Sequence, residues 1–203
     1  MSTISIKLAL VGDAGVGKSS VLLRYVDSRF DSTITLGVSF MEKTISVNKN
    51  TKCNMSIWDL GGSFSALLPI VCESSVAVVF MFDLTRRESL ESIKTWYKQV
   101  RAINKTAIPF LCGTKFDLFN HVTETERDST ISLARKYANA MKAPLIFTSA
   151  LETVNVGKLF KIIFLKVFDL PIDVAIVTEG AIVEGFMSSI AALPLQAASL
   201  STG

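Results

Sequence analysis

The chain is expected to fold as an α/β domain, with a mostly parallel six-stranded sheet and helices on both faces. Three observations carry that expectation. Short β-rich runs alternate with longer helical stretches from residue 4 to residue 168, the order that builds parallel sheets. One run, residues 76–82, is apolar throughout, as in a strand buried on both faces. Finally, Gly12-Asp13-Ala14-Gly15-Val16-Gly17-Lys18-Ser19 fits G-x-x-x-x-G-K-[ST] between an apolar strand and a helix, the setting in which that motif wraps phosphate.

The elements follow in order. Residues 4–11 read as a strand and 18–27 as a helix. Residues 38–47 and 52–58 read as two successive strands. In the second, Cys53, Met55 and Ile57 alternate with Asn54 and Ser56, the period of a half-buried strand. After the buried run 76–82, residues 88–103 read as one helix with Leu90, Ile93, Tyr97 and Val100 on one side. Residues 108–113 form a further buried strand, 126–141 a helix, 145–147 a short strand and 155–168 a closing helix. Pro171 is expected to end regular structure. Ligands of such a sheet bind at the carboxyl ends of its strands.

Composition narrows the function classes. Of 203 residues, 49% are hydrophobic and 19% charged, which excludes a disordered chain. Lys and Arg number 21 and Asp and Glu 18, a net charge of +3, too balanced to make a nucleic acid the expected partner. Cys53, Cys72 and Cys112 are odd in number and widely spaced. They form no metal pattern and no disulfide set, so a reducing compartment is expected, and Cys112, inside a buried strand, is expected to be inert. The start, with Lys7 inside its apolar run, does not read as a signal peptide. No stretch reaches the ~20 apolar residues of a membrane helix. Residues 173–203 hold no Lys or Arg and three acids, so residues 1–172 carry 21 bases against 15 acids, a net +6. The expected division is therefore a domain over 1–172 and a loosely attached, poorly ordered extension over 173–203. Its end, Ser201-Thr202-Gly203, offers no cysteine, so no prenyl anchor is expected. His121, the single histidine, sits in the polar loop 120–128 and reads as solvated.

The glycines of residues 12–17 let successive N–H groups turn toward one anion, and the helix N-terminus adds its positive end. Lys18 then reaches the β- and γ-phosphates and the Ser19 hydroxyl meets Mg²⁺. Thr114-Lys115-Phe116-Asp117 follows the strand 108–113. A carboxylate there accepts two hydrogen bonds from guanine, from N1–H and the 2-amino group, and adenine has no such donor pair. Ser149-Ala150 after Phe147 supplies a backbone N–H for guanine O6. Asp59-Leu60-Gly61-Gly62 after Trp58 matches D-x-x-G, placing Asp59 near the metal and the Gly62 N–H near the γ-phosphate.

With these motifs the sequence resembles the Ras-like small GTPases, a P-loop NTPase family, and within them the septum-promoting, mitotic-exit GTPases of fungi and their relatives. The resemblance runs from about Ile4 to Pro171. It is carried by residues 35–47, Ser56-Ile57-Trp58-Asp59-Leu60-Gly61-Gly62, Phe80-Met81-Phe82-Asp83-Leu84-Thr85, residues 92–97, residues 104–110, Gly113-Thr114-Lys115-Phe116-Asp117 and residues 159–163. Thr114, where most small GTPases carry Asn, is itself a feature of that subfamily. The resemblance implies a Ras-like G domain that switches between GTP and GDP with Mg²⁺. It also implies that the chain acts upstream of a protein kinase in septation, cytokinesis or mitotic exit. Nucleotide contacts are implied from Gly12 through Ser20, and at Phe30 (against the base), Asp59, Gly62, Thr114, Lys115, Asp117, Ser149, Ala150 and Leu151. Ser19, Thr35 and Asp59 are implied at the metal, and Lys18, Thr35 and Gly62 in hydrolysis. An exchange factor, an activating protein and an effector kinase are the implied partners of a monomer in the cytoplasm, at the spindle pole or centrosome. Trp96 and Tyr97 read as packing rather than as site residues.

The pattern breaks twice. A glutamine follows D-x-x-G in Ras-like proteins and orients the attacking water. Here Ser63 and Phe64 follow Gly62, and the segment is about two residues short, so hydrolysis is expected to be slow. The segment from Phe30 to Thr35 is also about two residues short, which puts the reach of Thr35 to the metal in question. A GTP-locked or nucleotide-independent scaffold and a vesicle-traffic, Rab-like GTPase are the alternative readings.

Overall fold

Seven consecutive buried residues make β4 (Ala77–Asp83) the middle of the sheet. The computed structural model describes residues 2–33, 35–47, 49–170 and 183–184. Around β4 the chain runs β1 (Ser2–Val11), α1 (Lys18–Asp27), β2 (Val38–Ser46), β3 (Thr51–Leu60), a 3-10 turn (Ser65–Leu67) and α2 (Leu68–Cys72) before it. After it come α3 (Arg87–Glu91), α4 (Ile93–Ile103), β5 (Ile108–Thr114), α5 (Phe116–Phe119), α6 (Glu124–Met141), β6 (Leu145–Phe147), α7 (Val156–Val167) and β7 (Val183–Glu184). The strand order is β2-β3-β1-β4-β5-β6-β7. Strands β3, β1, β4, β5 and β6 are parallel, and β2 joins β3 as an antiparallel hairpin. The six strands read from the sequence are all present.

A seventh strand is added. Val183–Glu184 pairs antiparallel with β6, Leu145 opposite Glu184 and Ile146 opposite Val183. Regular structure therefore does not end at Pro171. The tail offers a backbone edge to a strand that otherwise has one side unpaired, and an open edge is a standing template for pairing. The other residues of 173–203, and with them the expectation of poor order, lie outside the described residues.

Strand alternation divides the core in two. Ala9 and Val11 of β1, with Val78, Phe80 and Phe82 of β4, pack under α2, α3, α4 and α6. Leu8 and Leu10, with Val79, Met81 and Cys112, pack under α1 and α7. Lys7, the charge inside the apolar run, lies in β1 between β3 and β4. Its ammonium donates to the carbonyls of Ile70 (2.7 Å) and Glu73 (3.0 Å) at the end of α2 and sits over the Trp58 ring.

The helix read over 88–103 is two helices, broken at Ser92. Ser92 keeps helical backbone angles, and its N–H still donates to the Glu88 carbonyl, so one face carries through: Trp96 joins Leu90, Ile93 and Val100 in the core while Tyr97 is half-buried. Helices α2 and α5 were not legible, each being too short for a 3.6-residue period to show. Among the described residues no helix is long and apolar enough to cross a membrane.

All three cysteines are free and buried. Burial pushes the thiols of Cys72 and Cys112 up to about 12 and raises that of Cys53. The thiolate is the reactive form, so folded protein at pH 8 is expected to resist iodoacetamide at all three sites and to react fully once denatured. Mass spectrometry of the alkylated chain checks this. Rapid labelling of Cys112 in folded protein would contradict the burial.

Candidate functional site

The loops that follow β1, β3, β5 and β6 and the segment after α1 meet at one end of the sheet, around a cavity of about 350 Å³. That is room for a small-molecule ligand. The floor is the loop 12–17, which enters from β1 and opens α1. Gly12 has φ +149°, and a Cβ there would lie 2.1 Å from the Met81 carbonyl oxygen, so the loop passes flush against β4. Lys18 is 5% exposed, and its ammonium donates to the carbonyls of Gly12 (2.9 Å) and Asp13 (2.8 Å). Burial pushes its pKa down, Asp59 and Asp13 pull it back up, and the Arg86 guanidinium adds to the lowering. With its carbonyls engaged, the loop has N–H groups left to offer an anion.

Three oxygens converge beside the loop. Ser19 Oγ contacts Thr35 Oγ1 and donates to Asp59 Oδ2, and Thr35 Oγ1 donates to Asp59 Oδ2 at 3.0 Å. Thr35 therefore does reach Ser19 and Asp59, despite the short segment before it. The segment needs no regular structure to get there, since residues 28–33 run over the surface. Asp59 is fully buried, and its Oδ1 has no hydrogen-bond partner. A buried carboxylate oxygen left unpaired is costly, and a hard cation removes that cost. Two hydroxyls and one carboxylate suit Mg²⁺, which keeps most of its shell for water and phosphate. No group of three or more His, Cys, Asp or Glu among the described residues could hold a metal.

The opposite corner is built by the ends of β5 and β6. Ser149 Oγ donates to Asp117 Oδ1 at 2.6 Å, which leaves Oδ2 for a ligand. The Ser149 N–H is spent on the Val154 carbonyl, so Ala150 holds the N–H available at that corner. Arg24 Nε donates to the Ala150 carbonyl at 2.7 Å and fixes the turn. Lys115 pairs with Asp83 at 2.7 Å. The Thr114 hydroxyl faces the carbonyls of Val16 and Phe82 and can donate its one proton to only one of them. It thereby ties the phosphate loop to the base corner. Phe30, 44% exposed, and Leu151 stand at the cavity rim.

The loop after β3 closes the third side. The Gly61 N–H donates to the Gly37 carbonyl at 2.8 Å, joining it to the segment after Thr35. A Cβ on Gly62 would fall 2.1 Å from the Ala14 nitrogen, so Gly62 lies directly against the phosphate loop. Ser63 is exposed and does not line the cavity. Of the residues expected from Gly12 to Ser20, Ala14, Gly15, Gly17, Lys18, Ser19 and Ser20 line the cavity, while Gly12, Asp13 and Val16 do not, Val16 being fully buried in the core; the Ser20 hydroxyl donates to the Asp31 carbonyl. The cavity also takes in Val21, Ser32, Thr33 and Leu118, which the motifs did not name, and Gly61, a position of D-x-x-G to which no contact was assigned. Two side chains outside it were missed as well. Arg86 Nη2 donates to the Ala14 carbonyl at 2.8 Å, and Trp96 Nε1 donates to Asp13 Oδ1 at 2.7 Å. Trp96 is thus both a core residue and a partner of the phosphate loop.

Residues 7–169 match the Ras family. The chain belongs to the Ras family. It is 50% identical over 173 residues to septum-promoting GTP-binding protein 1 of Schizosaccharomyces pombe, covering 83% of this chain and 87% of that protein. It is 36% identical over 165 residues to human Ras-related protein Rab-22A, with 79% and 82% covered. It is 34% identical over 171 residues to GTP-binding protein ypt5 of S. pombe, with 81% and 78% covered. As a Ras-family chain it is a small GTPase, a guanine-nucleotide switch that hydrolyses GTP to GDP. The Ras family works with exchange factors, activating proteins and effectors.

Proposed function

We propose that this small GTPase is a septation-type switch, acting in cytokinesis or mitotic exit upstream of an effector protein kinase. Its place is the cytoplasm, at the spindle pole or centrosome. The observation that carries this reading is the 50% identity to a septum-promoting GTP-binding protein, against 36% or less to the Rab relatives. A Rab-like role stands second on that margin.

In this reading residues 12–20 cradle the phosphates. Lys18 offers its ammonium to the β- and γ-phosphates, and the Gly62 N–H meets the γ-phosphate. Ser19, Thr35 and Asp59 hold Mg²⁺, which when bound neutralises charge on the phosphate oxygens. Phe30 and Leu151 cover the base, and Lys115 lines its pocket beside Thr114. Asp117 takes guanine N1–H and the 2-amino group, and the Ala150 N–H takes O6. Hydrolysis is slow, because no side chain stands where the glutamine would orient water.

Base choice tests the reading. In Asp117→Asn the carboxylate becomes an amide, and a hydrogen bond to a charged group, about 1.5–3 kcal/mol, becomes a neutral one of about 0.5–1.5. GTP binding is expected to weaken by about tenfold, while xanthosine triphosphate gains relative to GTP. Competition against a labelled nucleotide measures both. Unchanged GTP affinity would remove Asp117 from the base site.

A further inference from the structure

We propose that Arg86 and Trp96 are positioning residues that hold residues 13 and 14 of the phosphate loop from outside the cavity while Lys18 acts from within. The proposal rests on the guanine-nucleotide reading above.

Three successive carbonyls of the loop are held by cationic donors. Lys18 holds those of Gly12 and Asp13 from within, and Arg86 holds that of Ala14 from without. Trp96 adds a fourth bond, to the Asp13 carboxylate. An ammonium has three donors, so Lys18 can meet a phosphate while still holding loop carbonyls, but its bonds reach no farther along the loop than Asp13. A loop whose N–H groups must face an anion needs its peptide planes restrained at Ala14 as well. Arg86 and Trp96 supply that restraint without being displaced, because neither lines the cavity.

Both donors are held rigidly. The turn carrying Arg86 is fixed by its N–H to the Asp83 carbonyl (3.0 Å) and by the Ser89 hydroxyl donating to its carbonyl (2.6 Å). Ser89 is fully buried, and its hydroxyl also accepts the Asp83 N–H. Asp83 in turn accepts from Thr85 and pairs with Lys115, so the turn is anchored to the base corner. Trp96 is 7% exposed on α4, wedged in the core beneath the loop. Its indole has a single N–H, and that donor goes to Asp13. The Arg86 charge also reaches Lys18, whose pKa it helps lower, which places both cations on one short stretch of loop.

The test is the release rate of a fluorescent GDP analogue in the presence of Mg²⁺. Arg86→Met keeps the stem and removes the donor. Trp96→Phe keeps the ring packing and removes the N–H. Each deletes a hydrogen bond involving a charged group, so release is expected to quicken on the order of 10- to 100-fold. Arg86→Lys can still donate to the Ala14 carbonyl and is expected to release more slowly than Arg86→Met. Arg87→Met, which removes the neighbouring cation paired with Glu91, is expected to leave the rate unchanged. Loss of packing alone would not produce the lysine rescue, because methionine already keeps the stem. Should Arg86→Met fail to fold, Arg86→Lys and Trp96→Phe carry the comparison with the parent. Release within about twofold of the parent in the Arg86→Met and Trp96→Phe proteins overturns the proposal. So does Arg86→Lys as fast as Arg86→Met, or Arg87→Met as fast as either. A parent that retains no GDP analogue at all instead refutes the nucleotide reading, and the proposal falls with it.

Discussion

Lys18→Ala is expected to weaken GDP and GTP binding by roughly 10²- to 10⁴-fold, the loss of two hydrogen bonds to charged groups at about 1.5–3 kcal/mol each. The side chain is 5% exposed and sits within 2.9 Å of two loop carbonyls. Water is largely excluded there, so its charge acts at low screening. Alanine removes the charge that draws phosphate in. It also frees the carbonyls of Gly12 and Asp13 to face the anion. Ser19→Asn attacks the same complex from the metal side. It removes one of the two hydroxyls on Asp59 and leaves the buried carboxylate with one fewer donor. The measurement is nucleotide release with and without a Mg²⁺ chelator. For the parent, chelation is expected to speed release strongly. For Ser19→Asn, release is expected to be fast already and to change little on chelation. A parent indifferent to the chelator would refute the assignment of Ser19, Thr35 and Asp59 to the metal.

Much of this site was legible in the chain, for physical reasons that differ by residue. The phosphate loop declared itself because an anion cradle demands glycines at fixed spacing between strand and helix, and α1 begins at Lys18 as that spacing requires. Asp117 and Ser149 are 32 residues apart and 2.6 Å from each other. They could be joined in advance because each follows a strand of one parallel sheet, and parallel strands bring their carboxyl ends together. Thr35 was harder. Counting residues in a surface segment fixes the longest span it can make, not where its end docks, and the short segment still delivers its hydroxyl to Asp59. Trp96 was legible as packing and not as a partner of the loop. It lies three residues after Ile93 and four before Val100, on one helical face, but nothing in that pattern says that its N–H meets Asp13. Arg86 carries no signal at all, since an arginine in a polar turn reads as solvated until the Ala14 carbonyl is placed beside it. The strand Val183–Glu184 could not be inferred either, because two residues are too few for any alternation to show.

GTP hydrolysis by this chain is expected at or below ~10⁻⁴ s⁻¹, the unaided level of Ras itself with its glutamine in place. Phosphoryl transfer is catalysed by positioning and charge, and most of those parts are present here. Lys18, Thr35, Asp59 and the backbone of Gly62 all reach the cavity or its edge. The missing part is a side chain to orient the attacking water. Ser63 is exposed and outside the cavity, and the turn that bears it is closed by the Phe64 N–H on the Gly61 carbonyl at 2.8 Å. A serine hydroxyl stops several ångströms short of where a glutamine amide ends, so this turn would have to unfold to bring it in. Ala14 adds a methyl group where Ras carries a glycine, beside the place an external arginine would enter. An activating protein that supplies only arginine is therefore expected to stimulate this chain far less than the ~10⁵-fold achieved on Ras. One that brings its own glutamine can still act. The decisive comparison is single-turnover hydrolysis by the parent and by a variant with Gln-Arg inserted after Gly62. One well-placed donor to developing charge contributes about 10²- to 10³-fold in kcat, and the insertion variant is expected to gain on that order. If the parent is as fast as the variant, the absent glutamine is irrelevant, and a group other than Ser63 in its present position orients the water.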